Sequence, residues 1–175
     1  MPDPQLPDPQ LPDHLPPKDH PTHQDWMNLA LVEAEAAGHA GEVPVGAVVV
    51  DPYGHWVTSS QNRRERDRDP TAHAEVLALR QAGQIVGDWQ LKGCRLYVTL
   101  EPCPMCAAAI TQARLGSVIY GAEDPKAGAL GSVLNLLDSP ATFHRPQVIG
   151  GILERDCRIL LHQWFRALRE LGGEP

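Results

Sequence analysis

Residues 96–110 read LYVTLEPCPMCAAAI. The apolar, β-prone half of this stretch extends a strand that the sequence predicts over Cys94–Leu100. The second half predicts a helix that opens after Pro102 and ends near Arg114, with Gly116 just beyond it. Pro104 suits the first helical position, where its missing N–H costs nothing, and this makes Cys103 the cap. Cys103 and Cys106 are then three apart at a helix start, so both sulfurs can face one way. A helix N-terminus favours thiolates, the form of cysteine that binds metal. A CxxC pair alone is more often a redox couple or half of a structural zinc site.

Upstream, DPTAHAEVLALR (69–80) supplies the missing partner. Asp69 and Pro70 read as cap and first residue of a helix running to about Ala82, with His73 and Glu75 near its start. One His with two Cys leaves a tetrahedral Zn²⁺ an open fourth position, the pattern of a catalytic site. Such a metal acidifies water at that position. His73, Cys103 and Cys106 are the expected ligands of one Zn²⁺ per chain, and Glu75 is the expected proton carrier. Residues i and i+2 of a helix do not share a face, so His73 and Glu75 meet one site only if it lies across the helix's N-terminal end.

The remaining elements alternate. Asp25 can cap a helix to Gly38 that carries Met27, Ala30, Leu31 and Ala34 on one face. Val45–Asp51 is a continuous apolar run, hence a buried strand, and Asp51-Pro52-Tyr53-Gly54 turns it into a partner at His55–Ser60. A polar loop spans Gln61–Asp69. Short strands are expected at Ser117–Tyr120 and Gln147–Gly150, and a short helix at Leu130–Leu137. A long amphipathic helix covers Glu154–Leu171, with Leu153, Cys157, Leu160, Leu161, Trp164, Leu168 and Leu171 at helical spacing. This order predicts an α/β fold with helices on both faces of a mixed sheet.

The 175 residues fit one domain. Residues 1–22 stand apart as a Pro-rich acidic tail, expected to be disordered; they hold eight of the seventeen prolines. Residues 23–175 form the single folded domain. The longest apolar run, Val43–Val50, is far short of the roughly 20 residues of a membrane span. The start of the chain lacks the marks of a secretory signal, and paired cysteines without a disulfide framework point to a reducing, cytoplasmic setting. The net charge of −7 argues against nucleic acid, yet three of those charges lie in the tail. Arg63, Arg64, Arg66 and Arg68 cluster before HAE. Arg155, Arg158, His162, Arg166 and Arg169 form a stripe on the last helix, either a solvated face broken by Glu154, Asp156 and Glu170 or a track for phosphates. Cys157 and Trp164 read as core residues.

H-x-E followed by P-C-x-x-C is the signature of zinc nucleobase deaminases. Over roughly residues 25–170 the chain resembles the bacterial-type tRNA adenosine deaminases, which make inosine at the anticodon wobble position. The resemblance rests on EVPVGAVVV (42–50), DPTAHAEVLALR (69–80), LYVTLEPCPMCAAAI (96–110), GAEDPKAGALGS (121–132) and GGILERDCRILLHQWFRALR (150–169). It implies a three-layer α/β/α sandwich of the cytidine-deaminase-like type, with a five-stranded mixed sheet. It implies that Asn62 hydrogen-bonds the flipped base, that the Ala74 amide contacts the purine, that Val45 walls the pocket, and that Asp124 and Lys126 lie beside the target nucleotide. A tRNA anticodon stem-loop as partner and a homodimer follow from the same resemblance. Phosphate contacts then fall to Arg63, Arg64, Arg145, Arg158, Arg166 and Arg169. Related sequences usually carry Asn where Phe143 stands, and often Gly where Ala108 stands. The rivals are a deaminase of free bases and a non-catalytic zinc module; the second would leave Glu75 and the open ligand position unexplained.

Overall fold

A computed structural model describes residues 21–170 and Gly172; the tail expected over 1–22 lies outside them up to residue 20, as does Leu171. The elements in order are α1 (His23–His39), β1 (Gly46–Val50), β2 (Trp56–Gln61), α2 (Arg64–Asp67), α3 (Ala74–Val86), β3 (Arg95–Leu100), α4 (Pro104–Gln112), β4 (Ser117–Ala122), a 3₁₀ turn (Leu136–Asp138), β5 (Gln147–Ile149) and α5 (Glu154–Glu170). The strands form one sheet in the order β2-β1-β3-β4-β5. β1 pairs antiparallel with β2 and β3, whereas β3–β4 and β4–β5 are parallel. This is the expected five-stranded mixed sheet.

Strand alternation sorts the core into two layers. Ala47, Val49, Leu96, Val98, Val118 and Tyr120 point to one face, where they meet Ala78 and Leu79 of α3 and Ala107 and Ile110 of α4. Val48, Val50, Tyr97 and Ile119 point to the other, against Trp26, Met27 and Ala30 of α1 and Cys157 of α5. β1 is buried on both faces, which is why it reads as unbroken valine and alanine rather than alternating. Gly46 lets α1 lie on this strand: a Cβ there would sit 2.6 Å from the Ala34 nitrogen.

Four expectations need correction. The cap of α1 is Thr22, and Asp25 is its capping-box partner: the Asp25 amide donates to the Thr22 hydroxyl at 3.3 Å and the Thr22 amide to Asp25 Oδ2 at 2.8 Å. Asp69 and Pro70 do not open a helix. Asp69 Oδ1 accepts from the Thr71 amide and hydroxyl at 2.8 and 2.7 Å, an Asx-type turn, and α3 starts only at Ala74 with His73 as cap. Asp-Pro serves a turn as well as a cap, and local sequence does not separate them. The expected helix at Leu130–Leu137 is instead an irregular segment with an isolated Leu130–Asn135 bridge, ending in the 3₁₀ turn. The amides of Leu130 and Ser132 are claimed by a carboxylate described below. The expected loop 61–69 also holds one short helical turn, α2. Among the described residues no helix is long and apolar enough to cross a membrane.

Candidate active site

The N-termini of α3 and α4 converge below the ends of β1 and β3. Cys103 caps α4 with Pro104 behind it, and Cys106 lies in the first turn. His73 caps α3, which makes Ala74 the first helical residue and Glu75 the second. The late start of α3 resolves the spacing problem: both side chains reach the site because it lies off the helix end. His73 Nδ1 is 3.8 Å from Cys103 Sγ and 3.5 Å from Cys106 Sγ, and one donor atom of each residue lies within 4.8 Å of the others. Zinc at about 2.3 Å from sulfur and 2.0–2.1 Å from nitrogen in tetrahedral geometry requires N···S separations of about 3.6 Å. The donor set therefore fits zinc in type and spacing.

Burial and mutual hydrogen bonds shift every group of the cluster, the Cys103 thiol downward and the other three upward. The hydrogen bond from Cys106, helped by His73, pulls the Cys103 thiol down to about 4. The same Cys103–Cys106 contact, together with burial, pushes the Cys106 thiol up. The hydrogen bond to Cys103 raises the His73 imidazole. Burial raises the Glu75 carboxyl, which is 4% exposed and in contact with the Cys106 thiol. A carboxyl whose affinity for protons is raised above the ordinary is suited to carry them.

A cavity of about 200 Å³ opens above this cluster. Val45, Asn62, His73, Glu75, Cys103 and Asp124 all line it. Of the other expected residues, Arg64 lines it too, Ala74 and Cys106 are buried outside its lining, and Lys126 is exposed beyond it. Asn62 is buried and its amide donates to the Val45 carbonyl at 2.9 Å, so these two are fixed together. Asp124 Oδ1 accepts from the amides of Lys126 and Ala127 at 2.9 and 3.2 Å, which fixes the turn that carries Lys126.

The arginines are scattered. Arg63 pairs with Asp67 at 2.9 Å and Arg64 with Glu65 at 3.2 Å. On α5, Arg158 pairs with Glu154 and Arg166 with Glu170, at 3.9 Å in the second case, while Arg169 is exposed. Arg145 donates to the carbonyl of Leu137 at 2.7 Å, and His144 Nε2 lies 2.5 Å from that of Leu115. Between those anchored neighbours and the buried Thr142, the Phe143 ring is 93% exposed.

Sequence reasoning missed two carboxylates, each 1% exposed. Glu42 accepts from the amides of Glu65 and Arg66 at 3.1 and 2.8 Å and so holds α2. Glu101, at the end of β3, accepts from residues 124, 130 and 132. A charged residue wedged between a buried strand and Pro-Cys was the available signal for Glu101; Glu42, ahead of an apolar run, offered a fainter one.

The MafB19-like deaminase family matches residues 21–169. The tRNA-specific adenosine deaminase of Bacillus subtilis is 43% identical over 145 residues, covering 83% of this chain and 89% of that protein. A structure solved in studies of A-to-I editing by tRNA:A34 deaminases superposes with TM-score 0.75 at 46% identity, covering 77% of this chain and 97% of the other. The guanine deaminase of Bacillus subtilis superposes with TM-score 0.58 at 34% identity, covering 86% and 95%.

Proposed function

The chain belongs to the tRNA-specific adenosine deaminases, within the MafB19-like deaminase family, and from that membership we propose that it converts adenosine to inosine at the wobble position of a tRNA anticodon. The observation that carries this reading is the cavity in which Asn62, Glu75 and the His73–Cys103–Cys106 cluster face one space. His73, Cys103 and Cys106 hold the metal, one Zn²⁺ per chain. Zinc in such a site supplies Lewis acidity and brings the acidity of water near neutral pH.

The chain's own residues do the rest. A base must leave its stack to enter so small a cavity, which favours an unpaired loop. Asn62 hydrogen-bonds the base edge, Val45 packs on its face, the Ala74 amide contacts the purine, and Asp124 and Lys126 flank the nucleotide. Glu75 takes a proton from water as the oxygen adds to C6 and gives it to N1, then takes the proton of the new C6 hydroxyl and delivers it to the amino group as the C6–N bond breaks, so adenosine and water become inosine and ammonia. Phosphates fall to Arg63, Arg64, Arg145, Arg158, Arg166 and Arg169. The protein works as a cytoplasmic homodimer.

The likeness to guanine deaminase favours a second reading, hydrolysis of a free base. One experiment separates the two. The zinc-loaded protein is incubated with an adenine-containing anticodon stem-loop and, separately, with free adenine, guanine and cytosine, and ammonia and inosine are measured. Inosine in the stem-loop with no turnover of free bases is expected. Ammonia from a free base with an untouched stem-loop establishes the second reading instead.

A further inference from the structure

Glu101 is a buried charge that the chemistry above does not use. Acidic side chains are almost never fully buried without partners, and here every partner belongs to one segment. Oε1 accepts from the amides of Leu130 and Ser132 at 2.9 and 3.1 Å. Oε2 accepts from the Asp124 amide at 3.2 Å and from the Ser132 hydroxyl. Residues 124–132 thus wrap around a single carboxylate. Gly128 makes room for it, since a Cβ there would press on Oε2 and lie 2.6 Å from the carboxyl carbon. The same segment is tied to the metal-bearing loop by the Ala129 amide, which donates to the Pro102 carbonyl at 2.9 Å. Glu101 and Asp124 both line the cavity.

We propose that Glu101 is a positioning residue for substrate binding, whose carboxylate fixes residues 124–132 as one wall of the cavity. The proposal rests on the deaminase reading given above. An ionised carboxylate is acceptor-only, and donors already occupy both of its oxygens. Glu101 is therefore not placed to move protons, unlike Glu75. Ala129 and Leu130 are also held by the apolar core, so loss of the carboxylate frees the ends of the segment first, including Asp124. Glutamine at this position turns one acceptor oxygen into an N–H₂ donor, which must face either the Asp124 amide or the Leu130 and Ser132 amides. The Ser132 hydroxyl can rotate to accommodate that change, but backbone amides cannot.

The test compares wild type with Glu101→Gln, Ser132→Ala and Gly128→Ala as full-length, zinc-loaded proteins. Hydrogen–deuterium exchange is followed at residues 124–132, and kcat and KM are measured on the anticodon stem-loop. Losing a hydrogen bond to a buried charge should raise KM about tenfold or more in Glu101→Gln, with faster exchange at Asp124 or at Leu130 and Ser132. Zinc content and kcat should stay near wild type. Ser132→Ala, which removes one donor of the four, should shift KM about threefold in the same direction. Gly128→Ala, which crowds both the carboxylate and the Asp124 carbonyl, should raise KM and exchange in the same direction. A fall in kcat at unchanged KM, or unchanged exchange in the segment, overturns the proposal. Should Glu101→Gln not fold, Ser132→Ala decides: unchanged KM and exchange there count against it. If wild type leaves the stem-loop untouched, the tRNA reading fails, and the exchange data alone still decide whether Glu101 holds the wall.

Discussion

Glu75 is the residue whose environment says most about its task. Burial lifts its carboxyl above the ordinary value of 4.5, so the folded protein holds that proton more tightly than the unfolded chain does. Below the unfolded-state value both states hold the proton and the contribution is complete; as pH rises towards and through the folded value, the unfolded state gives up its proton first and stability falls. Metal-free wild type should therefore lose stability relative to metal-free Glu75→Gln as pH rises from acid to neutral, a difference readable by denaturant titration at several pH values. With zinc present, Glu75→Gln should keep metal and RNA affinity but lose about 10²–10⁴ in single-turnover rate, the share of a general acid–base group. Near-normal turnover would remove Glu75 from the chemistry. Cys103→Ser and Cys106→Ser should lose zinc and activity together, since each takes a thiolate from a three-ligand site; metal analysis showing full occupancy would refute the assignment. These residues were legible because Pro104 fixes where α4 begins and hence where both sulfurs sit. Glu101 and Glu42 were not, because a glutamate's letter carries no trace of amides distant in sequence.

At the scale of elements, the two helices that carry the chemistry differ in how openly they announce their starts. α4 follows a Pro at its first position and was placed to the residue. α3 was placed several residues early, because Asp69-Pro70 is equally good turn chemistry and the choice is made by the Thr71 and Ala72 contacts. The same competition appears at α1, where Thr22 rather than Asp25 is the cap. That correction changes what a truncation should do. Deleting residues 1–20 keeps the capping box and should leave the melting temperature and activity nearly unchanged. Deleting 1–22, or Thr22→Ala, removes the box and should cost about 1 kcal/mol. Thermal melts of the three proteins check this, and equal melting temperatures for all three would show that the box contributes nothing. The strands were read more securely than the segment 130–137, since apolar runs declare a buried sheet whereas an irregular segment is shaped by what its backbone meets.

For the whole molecule, the question is how a chain of net charge −7 holds a polyanion. Four of the six arginines assigned to phosphates are already paired in cis, Arg63 with Asp67, Arg64 with Glu65, Arg158 with Glu154 and Arg166 with Glu170. Phosphates must compete with these carboxylates, and each phosphate neutralised releases condensed counterions, so log affinity should fall by about 0.7 per phosphate contacted for each decade of salt on a single strand. Reversing Arg158 and Arg166 to Glu should weaken stem-loop binding and flatten that slope while zinc content stays unchanged. An unaltered slope in a salt titration would assign the α5 stripe to solvent. The fold legible in sequence was the layered sandwich itself; the distribution of paired and exposed charge was not, because it depends on side-chain neighbours. The two buried carboxylates have a last consequence. Glu42 grips the backbone at residues 65 and 66, and Glu101 grips the backbone at 124, 130 and 132, apart from one serine hydroxyl. Main-chain amides are the same whatever residue bears them. The shape of the cavity's rim is therefore largely decoupled from the identity of its lining, and side chains at positions such as 64, 65 and 126 can be exchanged without rebuilding the loops that present them. A scaffold of this kind can be retargeted to another base or another loop by a handful of surface substitutions.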